Sequence, residues 1–301
     1  TILIEDFLAI YHQLVQGNII TFPQKTTSFK RWADCLYEHI QSTTMQEELE
    51  DYWLKLPWEQ VKPLPADFPE RASIDSFKAS RNVQVALSPE DTWTLLRQIL
   101  NADRQLIDVF LAVLSETFAR WTGSLWLPIY VSDHGREPIK QDMDLIRTVG
   151  FLSWKRLYLL ERQESAPDLA TQSIKRQREA TPNQGKGFEP LYYLSEQAER
   201  IKALPACEVL FNYVGQTVSS TVSSEIFQIS HEPIDAGIDS SDRREPPTCI
   251  QVIGRVIDDR LWLTWDYSEN LYRSSTIEKL AQNGIEILRT FIHALARNQS
   301  V

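Results

Sequence analysis

Six residues in a row, Ser132, Asp133, His134, Gly135, Arg136 and Glu137, set an imidazole between two acids with a guanidinium beside it, and they follow directly on an apolar run at 124–131. Charged neighbours can tune an imidazole into the range where it exchanges protons near neutrality, the requirement for general acid–base work. The same charges can instead pin a turn, with Arg136 ion-paired to Asp142 or Asp144. The other four histidines offer less. His12, His39 and His293 fall in helical patterns without the second His or acid of a zinc-protease helix, and His231 sits in a polar stretch beside Glu232. The sequence Pro-Asn-Gln-Gly-Lys-Gly-Phe at 182–188 lacks the Gly-Lys-Ser/Thr ending of a phosphate loop, and no Gly-x-Ser-x-Gly elbow occurs. Chemistry carried by this chain is therefore expected around His134.

The elements that must position this turn are legible from periodicity. The run at 124–131 reads as a strand buried on both faces, so the turn begins at a strand end, a common place for chemistry in α/β sheets. A helix is expected over 105–121, with Leu106, Val109, Phe110, Val113, Leu114 and Phe118 on one face. Ser88 and Pro89, followed by two acids, announce another helix start. Helical spacing is also present at 2–15 and behind Ser28, where Trp32, Leu36 and Ile40 share a side. Strands are expected within 77–87, 155–160 and 207–216. Alternation on both sides of Asp258-Asp259 predicts a hairpin. A final helix is expected with a capping box at Ser275 and Glu278. The Pro-rich stretch 57–73 reads as an exposed connector, residues 170–194 as a basic helix and a glycine-containing loop, and 217–247 as a long surface excursion.

Composition narrows the classes. A chain of 301 residues, 43% hydrophobic and 24% charged, can build a substantial core. Its formal net charge of −10 argues against general affinity for nucleic acid, which needs clustered Lys and Arg. No apolar run approaches the ~20 residues of a membrane helix, and no signal-peptide pattern is present. Cys35, Cys207 and Cys249 are odd in number and far apart, against both a disulfide framework and a zinc site, so a reducing cytoplasm is expected. A chain that opens on Thr1 inside a helical pattern is expected to be a piece of something longer. Helices alternating with strands around a mixed sheet give the fold class, α/β (α+β).

Several stretches, in order, resemble one family. Thr26 to Leu36 and then Asp51-Tyr52-Trp53 are similar to the segment just past a His-His-x-x-x-Asp-Gly motif, and Asp108 to Leu111 resembles an Asp-x-Leu-Leu helix. His134 to Glu137 resembles the second half of Glu-Gly-His-Gly-Arg-Glu, and Arg147 to Ser153 resembles Arg-Thr-Val-Gly-Trp-Phe-Thr. Pro182 to Gly187 is similar to Pro-Asn-x-Gly-x-Gly, and Phe211 to Gln216 to Phe-Asn-Tyr-Leu-Gly-Gln. Together these resemble the condensation superfamily of nonribosomal peptide synthetases and, within it, the epimerization-type domains.

The resemblance implies a lobe like chloramphenicol acetyltransferase, a mixed sheet flanked by helices, with residues 1–301 as the C-terminal lobe. The N-terminal lobe and its His-His-x-x-x-Asp-Gly would lie outside, since that motif occurs nowhere in the chain. It implies a peptidyl carrier protein as partner, presenting an aminoacyl or peptidyl thioester on 4'-phosphopantetheine, with no cofactor or metal bound directly and no nucleic acid or membrane partner. Gly135, Arg136, Glu137, Arg147, Gly150, Asn212, Tyr213 and Gln216 would line the tunnel for that arm. Ser132 falls at the motif's first Glu, the partner acid/base, and Asp133 at its Gly, so among the catalytic candidates Ser132, Asp133 and His134 the acid/base is either lost or moved to Asp133 by a one-residue shift of the loop. L-to-D epimerization is the lineage implied. Amide-forming condensation, which tolerates Ser132 better, and a catalytically degenerate docking platform are the alternatives, and the isolated chain is expected to be inactive. Lys175, Arg176 and Arg178 offer a basic patch for a carrier, or simply a solvated helix face.

Overall fold

The hairpin forms as its alternation dictates. In the computed structural model, which describes residues 2–70, 79–98, 105–216 and 249–297, strands β5 (Ile250–Ile257) and β6 (Arg260–Ser268) pair antiparallel. The turn residues Asp258 and Asp259 both take left-handed φ, 48° and 59°, which suits a two-residue hairpin turn. With β1 (Ser80–Ala86), β2 (Trp126–Asp133), β3 (Trp154–Glu161) and β4 (Val209–Gln216) they make one six-stranded sheet in the order β1-β6-β5-β4-β2-β3. The β2–β4 and β4–β5 pairs are parallel and the others antiparallel.

One face of this sheet carries the main core. Ile129, Val131, Phe211, Val252, Leu263 and Trp265 point into it and meet α5 (Leu106–Thr122), α6 (Pro167–Ala180) and α9 (Ser274–Arg297). A second core covers the other face of β2 and β3, where α2 (Phe29–Ile40), α3 (Thr43–Asp51) and α7 (Phe188–Leu194) bring Ile40, Leu49, Phe188 and Leu191 onto Leu157. Two short helices, α4 (Pro89–Gln98) and α8 (Ala198–Lys202), lie beside these. Ser28 and Ser88 cap α2 and α4 as expected, accepting from the backbone of Arg31 at 3.2 Å and Asp91 at 3.1 Å.

Several expectations need correction. The stretch 57–73 is not all exposed connector, because Trp58 is buried in the second core and Leu64 packs on the first; residues 71–73 lie outside the described part, as does the excursion at 217–247. Helix α7 occupies part of the expected glycine loop. At α9 the helix begins at Ser274, whose hydroxyl donates to Glu278 at 2.7 Å, so Ser275 is not the cap. Asp67 reaches across to accept from the backbone of Arg273 at 2.9 Å instead. The basic patch on α6 dissolves in part: Arg178 is buried, and its Nε donates to the fully buried Asp108 on α5 at 2.7 Å. Gln105 Oε1 takes a second guanidinium N–H at 2.7 Å.

Helix α1 (Ile2–Val15) forms but buries none of its residues. Its apolar stripe is open to solvent, with Leu3 66%, Phe7 59% and Leu14 57% exposed. It is tied to the body by Arg147, which pairs with Glu5 at 3.2 Å and with Asp6.

Two outcomes follow from this packing. Asp108→Ala strands a buried guanidinium and is expected to cost about 3–5 kcal/mol in urea unfolding, most of it recovered in Asp108→Ala/Arg178→Met; equal losses in single and double variants would refute the pair's role. The isolated chain, with the α1 stripe open, is expected to self-associate or sit near its solubility limit, and a clean monomer at high concentration by light scattering would count against this.

Candidate functional site

Strand alternation sorts the residues of the turn before any contact is considered. Val131 belongs to the main core, so Ser132 faces the opposite side of the sheet and Asp133 returns to the helical side, that of the main core with α5, α6 and α9. Strand β4 runs parallel beside it, paired as far as Val131 level with Phe211, and alternation sends Asn212 to that same opposite face. The motif positions Ser132 and Asn212 thus share one face of the sheet, a hydroxyl and a carboxamide. Tyr213 turns the other way and packs on Phe110, ring centroids 5.4 Å apart. Gln216 lies at the far end of β4, in a separate cleft with Trp93 and Val256.

Asp133 is held by Arg156, a residue the sequence reading passed over. On the adjacent strand β3, Arg156 is level with Val131, so its side chain shares the face of Asp133. Its Nε and Nη2 lie 2.9 Å and 2.6 Å from Asp133 Oδ2, with the two side chains 13% and 9% exposed. The other oxygen, Oδ1, accepts from the backbone of His134 at 2.8 Å. Both oxygens of this carboxylate are engaged on the helical side of the strand, away from Ser132.

His134 is 66% exposed at its side chain, and its ring is committed locally. Nδ1 accepts from the backbone N–H of Arg136 at 3.0 Å, which places the proton of the neutral ring on Nε2. In this arrangement the neutral imidazole can donate a hydrogen bond from Nε2 but has no free lone pair with which to take a proton. Gly135 explains the shape of the turn: it has φ +63°, and a Cβ there would stand 1.7 Å from the carbonyl oxygen of Leu152.

Arg136 does not form the expected ion pair with Asp142 or Asp144. Its Nη1 donates to the carbonyls of Leu145 at 2.6 Å and Thr148 at 3.1 Å, stitching the turn to the loop that holds Arg147 and Gly150. Asp142 faces Arg31 at 3.9 Å, and Asp144 Oδ1 accepts from the backbone of Ile146 at 3.0 Å. Gly150 lies against the ring of Phe29, where a Cβ would approach to 2.4 Å. Glu137 completes the arrangement by accepting from Arg156 at 3.0 Å and pairing with Lys186 of the 182–187 loop.

Asp133, His134 and Glu137 bring possible ligand atoms within 4.8 Å of one another. The cations already seated on those carboxylates are Arg156 and Lys186, so the cluster is charge-compensated by the protein itself. On the Ser132 side of β2, burial pushes the Tyr130 phenol well above its ordinary range and the Cys207 thiol up to about 12. Neither ionises near neutrality, so neither offers a ready base or nucleophile there. Lys155, level with Ser132, has its ammonium 3.1 Å from Glu189 of α7.

What the strand ends offer is therefore a hydrogen-bonding wall with its charges paired. The signal that could have revealed Arg156 was present: in Trp154–Glu161 the period of two puts Arg156 on the side of Tyr158, an unusual cation on a core-facing position. Among the described residues no helix is long and apolar enough to cross a membrane.

The fold has known counterparts. The epimerization domain from the third module of tyrocidine synthetase B superposes with a TM-score of 0.81 at 27% identity, covering 98% of this chain and 66% of that one. The cyclization-docking bidomain of EpoB from Sorangium cellulosum shares the fold, with a TM-score of 0.62 at 16% identity over 97% of this chain and 56% of that one. A linear gramicidin synthase of Brevibacillus parabrevis is 35% identical over 300 residues, 97% of this chain, yet the chain spans 6% of that protein's length. A surfactin synthase of Bacillus subtilis (strain 168) is 31% identical over 279 residues, 92% of this chain and 8% of that protein. The condensation-domain family matches residues 1–300, and the chain belongs to that family of the nonribosomal peptide synthetases.

Proposed function

We propose that this chain is the C-terminal lobe of an epimerization-type domain and receives an aminoacyl or peptidyl thioester carried on the 4'-phosphopantetheine arm of a peptidyl carrier protein. The observation that carries this reading is the likeness to the tyrocidine epimerization domain, of which the chain covers 66%. Ser132 and Asn212 then face the arm.

Epimerization removes the α-proton beside the thioester and returns one to the opposite face, which calls for a base and an acid. Ser132 is a poor proton exchanger at neutral pH. Asp133 is tied to Arg156 on the other side of the strand, and the lone pair of His134 is taken up by Arg136. This lobe would orient the substrate by hydrogen bonds, while proton removal falls to a group outside it. That same arrangement favours a second reading, amide-forming condensation, in which this lobe need not supply a second carboxylate.

The test uses the full-length protein that contains this chain. A carrier loaded with an L-aminoacyl thioester is incubated in D₂O and α-deuterium is followed by mass spectrometry. Exchange is expected, lowered in Ser132→Ala, which truncates the orienting wall, and in Asp133→Asn, which weakens the grip of Arg156, but abolished in neither. Exchange abolished by Asp133→Asn alone would make Asp133 the acid/base and overturn the assignment made here. No exchange, but amide formation with a second loaded carrier, selects condensation; neither reaction, with the carrier still bound, leaves a docking platform.

A further inference from the structure

The 182–187 loop is held in a conformation its side chains do not favour. Asn183, Gln184 and Gly185 stand consecutively in the left-handed region, φ 47°, 52° and 82°. Two of the three carry a Cβ, so neighbouring elements have to hold them there. Asn183 Nδ2 donates to Glu48 of α3 at 2.6 Å. The Gln184 carbonyl accepts from the Tyr158 hydroxyl at 2.7 Å, and its side-chain Oε1 accepts from Arg156 Nη1 at 2.6 Å. Gly185 lies against β3, where a Cβ would come within 2.4 Å of the Leu157 carbonyl oxygen.

Arg156 also grips the turn at the strand end. Nε and Nη2 hold Asp133, Nη2 reaches Glu137, and Lys186 closes the ring from the loop back to Glu137. One planar guanidinium thus joins three separate segments, the end of β2, the 134–137 turn and the 182–187 loop. A guanidinium can do this because its donors form a fixed fork; an ammonium is a point charge and cannot serve all three acceptors in these directions. Arg156 sits on the helical face, opposite Ser132 and Asn212, so it acts on the reacting group only through the elements it fixes.

We infer that Arg156 is a positioning residue for the carrier-borne thioester: by locking Asp133, the 134–137 turn and the 182–187 loop together, it sets the placement of the Ser132–Asn212 wall. The inference deepens the proposed function and rests on it. Misplacing a substrate-orienting wall lowers the rate of the bound complex without loosening distant carrier contacts, so the effect belongs in kcat.

The experiment compares Arg156→Lys and Arg156→Gln with the wild type in the full-length protein, using whichever turnover that protein shows, α-deuterium exchange or amide formation. In Arg156→Lys the Tm is expected to stay within about 3 °C and KM for the loaded carrier within about twofold, while kcat falls at least about tenfold. A purely structural arginine would give folded Arg156→Lys enzyme of normal kcat, which would overturn the inference, as would a loss confined to KM. Amide hydrogen exchange provides the second readout. In both variants the hydrogen-bonded amides of Arg136, Gln184 and Lys186 should exchange at least about tenfold faster together, with α9 unchanged. Protection retained at either the turn or the loop overturns the clamp even if kcat falls. A wild type that performs neither reaction sinks the proposed function, and the positioning role with it, while exchange still decides whether Arg156 joins the segments.

Discussion

The guanidinium of Arg156 is the constraint on which the site depends. It is 13% exposed and touches a carboxylate that is 9% exposed, so both charges have given up most of their water. Such a pair adds little net stability compared with apolar residues of the same shape, but removing one partner leaves the other stranded. Its value is geometric. The acceptors come from three places in the chain, Asp133, Glu137 and Gln184, and the planar fork fixes their relative directions as a single flexible ammonium would not.

The same pair decides what the turn can do chemically. A strand gives neighbouring residues opposite faces, so a carboxylate at 133 cannot stand in for one at 132 by a small adjustment of its side chain. Slipping β2 by one residue would exchange the faces of Ile129 and Val131 with those of Tyr130 and Ser132, and the main core would lose its contact with α5. Core packing therefore keeps Asp133 on the helical side, where Arg156 meets it. The aspartate in place of the motif's glycine and the arginine two residues into β3 form one structural unit, and neither makes sense alone.

Much of this architecture was legible in the sequence because it rests on local periodicity. The hairpin around Asp258-Asp259, helix α5 and the strand within 124–131 are each marked by local apolar spacing, and β2 runs on to Asp133. What was not legible depends on partners distant in the chain. Arg178 looks like one of three basic residues on a solvated helix, and Asp108 on α5, seventy positions away by sequence separation, is what buries it. Arg136 offers no clue that it will meet carbonyls and not Asp142 or Asp144, since backbone acceptors carry no sequence signature. Trp58 sits between prolines that suggest an open connector, and its ring is buried because α7 supplies Phe188, 6.1 Å away between centroids. The apolar stripe of α1 was equally clear, but amphipathic spacing says only that a face can be buried.

Ser132 and Asn212 put a hydroxyl and a carboxamide on one face of two parallel strands, and both groups bear on the two candidate reactions. Such groups can accept and donate hydrogen bonds to a thioester carbonyl or to the amides of a pantetheine arm. They hold no charge, so they do not compete with water for a counter-ion and do not titrate across neutral pH. Orientation is a large term in its own right, since holding reacting groups in line can account for several kcal/mol of a barrier. A lobe with its titratable groups locked in ion pairs can supply that orientation without taking part in the proton transfer. Under the proposed function, epimerization and amide formation make the same demand on this chain, a rigid hydrogen-bonding wall on one face of the sheet, and differ in which group moves the proton.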